Sequence, residues 1–248
     1  MNIAIVGATG NVGRKIIEVL ENKNFPISEL YLIASSKSSG QKINFKGKEH
    51  TVIDLEKFDF SKVKITFFAA GSAVAEKWAH KVAEKTIVID NSKYFRKDSE
   101  IPLIVPEVNS KELVHVKNKN IIANANCSVI PLVVALKPLH DLYTVKRIVA
   151  STYQSVSGAG KAPMDELLSQ TQDYFNNKNL QSKHFTKQIA FNAIPHIDSF
   201  LENGYTKEEQ KTSDEVKKIL DKKIKITSTC VRIPVLVSHS ISVNVEFE

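Results

Sequence analysis

The sequence predicts an α/β protein, a parallel sheet with helices on both faces followed by a second part built on a sheet with two helices. Three observations predict it. A short apolar run at the N-terminus ends in a glycine turn and passes into an amphipathic helix. Apolar strand-like runs then alternate with helical patterns through the first half, as parallel sheets require. Beyond residue 127 helical stretches near 160–176 and 206–221 are interspersed with β-rich runs.

Each element of the first half has its own signal. Asn2–Val6 reads as a buried strand, and Gly7-Ala8-Thr9-Gly10-Asn11-Val12-Gly13 as the turn, with Val12, Ile16, Ile17, Val19 and Leu20 on one helix face. Gly7 permits the tight turn, Gly10 lets backbone approach a pyrophosphate, and Gly13 lets helix pack closely on strand, while the helix N-terminus offers N–H groups to an anion. The spacing is GxxGxxG, and a βα turn without a ligand would show the same glycines. Glu29–Ala34 is the second strand. Its end carries Ser35, Ser36, Lys37 and Ser38 where an NAD site would place an acid for the ribose 2′-OH, so a 2′-phosphate and NADP are expected, with a flexible polar loop as the alternative. Lys64–Ala70 is a strand stopping at Gly71, Ser72–Glu84 a helix, and Ile87–Asp90 the next strand. The strand ends at Gly7, Ala34 and Gly71 are expected to line one crevice.

Composition bounds the function. The chain has 248 residues, 42% hydrophobic and 25% charged, an ordinary globular composition that excludes a disordered or low-complexity protein. No apolar run nears the length of a membrane span and no leader pattern follows Met1, so a cytoplasmic protein without membrane contact is expected. The formal charge is +7, but 30 of the 34 cationic residues are Lys scattered along the chain, with no basic block interleaved with aromatics, so nucleic-acid binding is not expected. The four arginines, Arg14, Arg96, Arg147 and Arg232, stand out for that reason, since a rigid bidentate fork is what Lys cannot replace.

Two cysteines, Cys127 and Cys230, make no disulfide framework. Ile121–Ala123 is a short strand, Asn124-Ala125-Asn126-Cys127-Ser128 a turn, and Val129–Leu139 an apolar helix with Pro131 in its first turn. Cys127 therefore stands at a helix N-terminus, where the dipole favours a thiolate, although a small buried cysteine would also fit there.

At these residues the chain resembles aspartate-β-semialdehyde dehydrogenase. GATGNVG, NANCSVIPLVVALKPLHD, STYQSVSGAGKAPMDEL, NGYTKEEQK and RIPVLVSHSISVNVEFE occur in that family's order from one end of the chain to the other. The resemblance implies a Rossmann-like NADP-binding domain over 1–127 and an α+β catalytic and dimerisation domain over 128–248, in a homodimer or homotetramer. It makes Cys127 the nucleophile, His239 its acid/base partner and Gln154 the group that orients the thioester, beside a loop carrying Ser157, Gly158 and Gly160. For the substrate, L-aspartyl 4-phosphate or L-aspartate 4-semialdehyde with phosphate, Arg232 is implied at the carboxylate and Glu208 at the ammonium, with Glu209 as its competitor. Arg96, Asn126 and Lys211 are implied at the phosphate. The bland reading of Glu208 and Lys211 is an i, i+3 pair on a solvated helix face. The cofactor contacts fall on Gly7, Thr9, Gly10, Asn11, Val12, Gly13, Ser35, Lys37, Ser38, Gly71, Ser157 and Gly158. The reaction implied is the reductive step toward lysine, threonine, methionine and diaminopimelate.

Two departures from the family qualify this. Ala125 stands where the family has proline, and the chain stops at Glu248 directly after the His239 run, where the family continues. An incomplete second domain with an open sheet edge is therefore expected. A chain that binds NADP without turnover, and an acyl-phosphate reductase for another substrate, are the alternatives.

Overall fold

Ile3–Val6 (β1) is fully buried, and its neighbours in space follow from the glycine turn that ends it. The structure, a computed structural model, describes residues 1–248 as two units, Met1–Ala125 and Asn126–Glu248. In the first unit β1 is followed by α1 (Asn11–Asn22), β2 (Leu30–Ala34), β3 (Lys42–Phe45), β4 (Lys48–Thr51), β5 (Ile53–Asp54) and β6 (Ile65–Phe68). Then come α2 (Ser72–Ala83), β7 (Ile87–Asp90), β8 (Leu103–Ile104), the single turn α3 (Pro106–Asn109) and β9 (Ile121–Asn124). Seven strands form one parallel sheet in the order β5-β2-β1-β6-β7-β9-β8. The order turns at β1: the chain goes to β2 on one side and returns to β6 on the other, the switch point at whose carboxyl end open α/β sheets bind ligands.

The turn after β1 explains two of its glycines. Gly7 has φ +86°, and a Cβ there would lie 2.5 Å from the Ala69 carbonyl oxygen. At Gly13 a Cβ would lie 2.2 Å from the Gly7 carbonyl oxygen, so only glycine lets α1 close onto the turn. The helix face differs from the sequence expectation. Ile17 and Leu20 are buried and Ile16 packs against their cluster, but Val12 and Val19 face outward, half exposed. Positions 12 and 19 lie beside the stripe at 16, 17 and 20 that packs on the sheet.

An antiparallel hairpin, β3–β4, has no counterpart in the expected elements. Its two-residue turn, Lys46-Gly47, has φ of +51° and +76°, the doubly left-handed turn that matches strand twist. Lysine at the first position hides a signal that asparagine would have made plain.

The second unit contains α4 (Val129–Tyr143), β10 (Val145–Gln154), α5 (Lys161–Phe175), α6 (Lys207–Ile219), β11 (Lys225–Arg232) and β12 (His239–Phe247). The helix α4 runs four residues past Leu139, continuing through Pro138 until Thr144, at φ +50°, ends it. The three strands form one sheet in the order β11-β10-β12, with β10 parallel to β11 and antiparallel to β12. Leu132, Val133 and Leu136 of α4 and Val216 and Ile219 of α6 are buried with Ile148 and Ala150 of β10. A second cluster under α5 gathers Val156, Leu167, Ile189, Ala190 and Ile194.

The stretch after α5 lacks regular structure, yet two α5 side chains hold it. The Glu166 carboxylate accepts the backbone N–H groups of Lys183 and His184. Gln170 Oε1 accepts those of Ile189 and Ala190, and its Nε2 donates to the Gln181 carbonyl. Segment 180–190, silent in the sequence, thus has five of its backbone groups satisfied by side chains one helical turn apart.

No helix is long and apolar enough to cross a membrane. The packing at Gly13 makes a direct prediction. Gly13→Ala is expected to destabilise the chain by about 3 kcal/mol, because the obstacle is backbone and cannot rotate away. Thermal unfolding followed by circular dichroism measures it.

Candidate active site

The sheet of the second unit assembles the site by register. Gln154 of β10 is level with Arg232 of β11 on one side and His239 of β12 on the other, so the three share one row and one face. One row back, Thr152 is level with Cys230 and Ile241, and Thr152 Oγ1 donates to Gln154 Oε1 at 2.9 Å. The Glu208 carboxylate, which only accepts, fixes which end of the Gln154 amide is nitrogen: Nε2 donates to Glu208 Oε1 at 3.2 Å, and Oε1 is left to accept from Thr152.

Cys127 reaches this row from the turn before α4. It is exposed, and its Sγ lies 3.2 Å from His239 Nε2. The other ring nitrogen, Nδ1, receives the backbone N–H of Ser155 at 2.9 Å, with Ser155 Oγ 3.2 Å away. A backbone N–H only donates, so Nδ1 is the acceptor and the neutral ring carries its proton on Nε2, facing the sulfur. Burial holds the His239 pKa below its usual value, with the Arg232 cation adding to this and the Ser238 carbonyl and Glu208 carboxylate opposing it. The geometry thus favours the donor half of the expected acid/base role: a neutral imidazole offering Nε2–H to a thiolate.

Asn126 is held on all sides. Its N–H donates to Glu215 Oε2 at 2.6 Å, its Nδ2 to Glu208 Oε1 at 2.9 Å, and its Oδ1 accepts the Ser128 N–H and faces Cys127 Sγ at 3.8 Å. Its carbonyl accepts the N–H groups of Val129 and Ile130, the first turn of α4.

Glu208 and Lys211 do not lie on a solvated face. Both are largely buried; Lys211 Nζ donates to Glu208 Oε2 at 3.1 Å and to Asp198 Oδ2 at 2.7 Å. Burial pushes the Glu208 pKa up, but the Lys211 ammonium and the hydrogen bonds from Asn126, Lys211 and Gln154 outweigh it and hold the carboxyl below its usual value. Lys211 is the mirror case: burial opposes its charge, and Glu208 and Asp198 keep the pKa raised. Glu209 is engaged elsewhere. It forms a reciprocal capping box with Thr206 and turns away from Glu208's partners.

Arg232 is buried, with Nη1 donating to the Ser155 carbonyl at 2.6 Å. Burial lowers its pKa, and Glu208, Cys127 and Cys230 act against that. Gly158 lies beside it, where a Cβ would be 3.2 Å from Arg232 Nη1 and 3.4 Å from His239 Nε2. Ser157 belongs to the same loop; its hydroxyl is 2.9 Å from that of Ser155. Cys230 is fully buried, which pushes its thiol up to about 11.

The remaining candidates belong to the first unit. Arg96 follows β7, where Nη2 donates to the Asn91 carbonyl at 3.1 Å. That turn is braced by Asp90, whose buried carboxylate accepts from the Ser92 N–H and hydroxyl. Gly7, Thr9, Gly10, Asn11, Val12 and Gly13 form the turn between β1 and α1; Ser35, Lys37 and Ser38 follow β2, and Gly71 precedes α2. These three strands are adjacent, with Ile33, Val6 and Phe68 in register. The residues fit a dinucleotide. No side chain caps α1 and no acid stands in its first turn, Gly10, Asn11 and Val12 are exposed, and Gly71, at φ +84°, has open space where its Cβ would be. Ser35 and Lys37 are exposed beyond β2, with no carboxylate among them.

Three site residues escaped the sequence reading. Ser155 adjoins Gln154, Glu215 follows Glu208 by two helical turns and so shares its face, and Asp198 lies in an irregular segment with nothing local to mark it.

A nucleotide-binding first unit and a cysteine–histidine pair in the second define a two-domain semialdehyde dehydrogenase. The family model described as "Semialdehyde dehydrogenase, NAD binding domain" matches residues 2–116, and "Semialdehyde dehydrogenase, dimerisation domain" matches residues 136–248. The chain is 50% identical over 247 residues to aspartate-semialdehyde dehydrogenase 2 of Vibrio cholerae, covering 99% of this chain and 73% of that protein. It is 50% identical over 250 residues to the aspartate-semialdehyde dehydrogenase of Aquifex aeolicus, covering 99% and 74%. The crystal structure of the Vibrio cholerae enzyme II complexed with ASA superposes with a TM-score of 0.98 at 49% identity, again over 99% and 74% of the two chains. The chain belongs to the aspartate-semialdehyde dehydrogenase family.

Two predictions follow from this geometry. In the native chain iodoacetamide is expected to label Cys127 alone, and both thiols only after denaturation; mass spectrometry of peptides reads the sites. Lys211→Met leaves Glu208 buried beside one cation fewer and is expected to cost about 3 kcal/mol at pH 7. Without Lys211 the Glu208 pKa rises above its unfolded value, so the deficit shrinks as pH falls toward 5 and the carboxyl takes up a proton. Urea unfolding at pH 5 and pH 7 checks the sign.

Proposed function

We propose that this chain carries out the NADP-dependent reductive dephosphorylation of L-aspartyl 4-phosphate to L-aspartate 4-semialdehyde through a thioester on Cys127. The observation that carries the reading is the 3.2 Å approach of Cys127 Sγ to His239 Nε2, at the end of the row formed by Gln154, Arg232 and His239.

The Cys127 thiolate attacks the acyl carbon, the carbon–oxygen bond to phosphate breaks, and the thioester forms on sulfur. A nicotinamide held by the first unit would supply the hydride that separates the acyl and aldehyde levels, and release of the semialdehyde breaks the carbon–sulfur bond and returns the Cys127 thiolate. His239 Nε2–H stabilises the thiolate beforehand and hydrogen-bonds the oxygen that develops charge on the sulfur-bound carbon. Arg232, anchored on Ser155, presents its remaining guanidinium edge to the substrate carboxylate, a planar match that Lys lacks. Glu208 takes the substrate ammonium, and Gln154 holds Glu208 and the thioester in line. Lys211, Asn126 and Arg96 serve the phosphate.

For the cofactor, Gly7, Thr9, Gly10, Asn11, Val12 and Gly13 would hold the pyrophosphate, with Ser157, Gly158 and Gly71 completing the contacts. Ser35, Lys37 and Ser38 would take the 2′-phosphate; the absence of a carboxylate among them supports NADP over NAD. Self-association as a homodimer or homotetramer is part of the same reading, supported by the description of the domain matched by residues 136–248. A reducing cytoplasmic setting suits two cysteines that form no disulfide. The reaction belongs to the route toward lysine, threonine, methionine and diaminopimelate.

The test is phosphate-dependent formation of NADPH by the purified chain given L-aspartate 4-semialdehyde and NADP. Activity is expected and is lost in Cys127→Ser. No turnover from a folded chain that still binds NADP would favour a binding protein instead. Arg232→Lys is expected to raise KM for the semialdehyde at least about tenfold, the cost of a lost bidentate contact.

A further inference from the structure

The mechanism uses Glu208 but leaves a second carboxylate of the same helix without a task. Glu215 stands seven residues further along α6 and is buried, 3% exposed. A carboxylate is kept in such a place only where hydrogen bonds replace the water it has lost. One of its bonds is unusually consequential: Oε2 accepts the backbone N–H of Asn126 at 2.6 Å. We infer that Glu215 is a positioning residue for Cys127, fixing the peptide that precedes Asn126 so that the thiol meets His239.

The chain of contacts is short. Glu215 holds the Asn126 N–H, Glu208 holds its Nδ2, and its Oδ1 receives the Ser128 N–H and faces the sulfur. The residues at 208 and 215 are two turns apart on one helical face, so α6 grips Asn126 at backbone and side chain at once. The capping box of Thr206 and Glu209 fixes where that helix begins and therefore where both carboxylates stand. Release of the N–H would free the peptide to rotate, and the nucleophile is the next residue. A displacement of about 1 Å at a reacting atom can cost up to a hundredfold in rate. What the role requires is an acceptor of the right reach, not a charge. Glutamine preserves the reach and loses the charge; aspartate does the reverse.

This inference rests on Cys127 as the nucleophile, and its test separates the two. Alkylation of Cys127 by iodoacetamide needs no substrate, so it is followed against pH in the full chain, in Glu215→Gln and in Glu215→Asp, with folding checked by thermal unfolding. The expected result is a Gln variant within about threefold of the unmodified chain. The Asp variant should be slowed about tenfold or more, with its pH midpoint raised. In the semialdehyde assay the Asp variant should lose kcat by a similar factor with KM little changed. A folded Asp variant alkylated at the unmodified rate, or a Gln variant slower than the Asp variant, would overturn the inference. Turnover surviving in Cys127→Ser would instead overturn the nucleophile assignment, leaving the alkylation comparison standing.

Discussion

The register of β10 against its two neighbours is the constraint on which the site depends. Side chains alternate along a strand, so a slip of one residue would carry Arg232 or His239 to the opposite face while leaving Gln154 where it is. Eight consecutive pairings between β10 and each neighbour, from Arg147 to Gln154, make that slip expensive. Arg232, Gln154 and His239 come from three segments far apart in sequence, yet none needs a long or flexible reach, because each stands at a strand end in the same row. Asn126 and Cys127 enter from the turn before α4, and Glu208 and Lys211 from α6.

What the register assembles, a dense polar network keeps in order. Glu208 receives hydrogen bonds from Asn126, Gln154 and Lys211, and Lys211 is shared with Asp198. A carboxylate this well satisfied stays ionised in a site that would otherwise neutralise it, and the cost of its burial is offset locally. The network also sets orientation. Glu208 decides which end of Gln154 is the donor and Thr152 donates to the other end, the Ser155 N–H decides which nitrogen of His239 carries the proton, and the Ser155 carbonyl receives Arg232. One short segment, residues 152–155, therefore aligns three side chains through its own backbone and hydroxyl groups. Gly158 contributes by what it lacks, leaving room beside Arg232 and His239.

Much of this was legible in the letters, and the part that was not has physical reasons. The glycine turn, Cys127 before an apolar helix and the alternation of strands and helices are local patterns, and local patterns survive in sequence. Thr206 followed three residues later by Glu209 is the signature of a capping box, which engages Glu209 and leaves Glu208 for other partners. The β3–β4 hairpin stayed hidden behind a lysine in its turn. Val12 and Val19 are apolar yet lie at the edge of the buried stripe of α1, and apolar identity alone does not separate the edge of a stripe from its centre. The row of Gln154, Arg232 and His239 could not be read at all, because strand pairing is decided by contacts across the fold, and the sequence separation of its members carries no trace of their register.

The bracing of segment 180–190 by Glu166 and Gln170 has a consequence for how the second unit comes apart. A stretch with no ladder of its own would ordinarily open by itself, residue by residue, at little cost. Here the amides of Lys183, His184, Ile189 and Ala190 are bonded to two side chains of one helix, so the stretch and the middle of α5 share their bonds. They gain and lose order together, as a single cooperative piece, and the irregular segment inherits the lifetime of the helix that holds it.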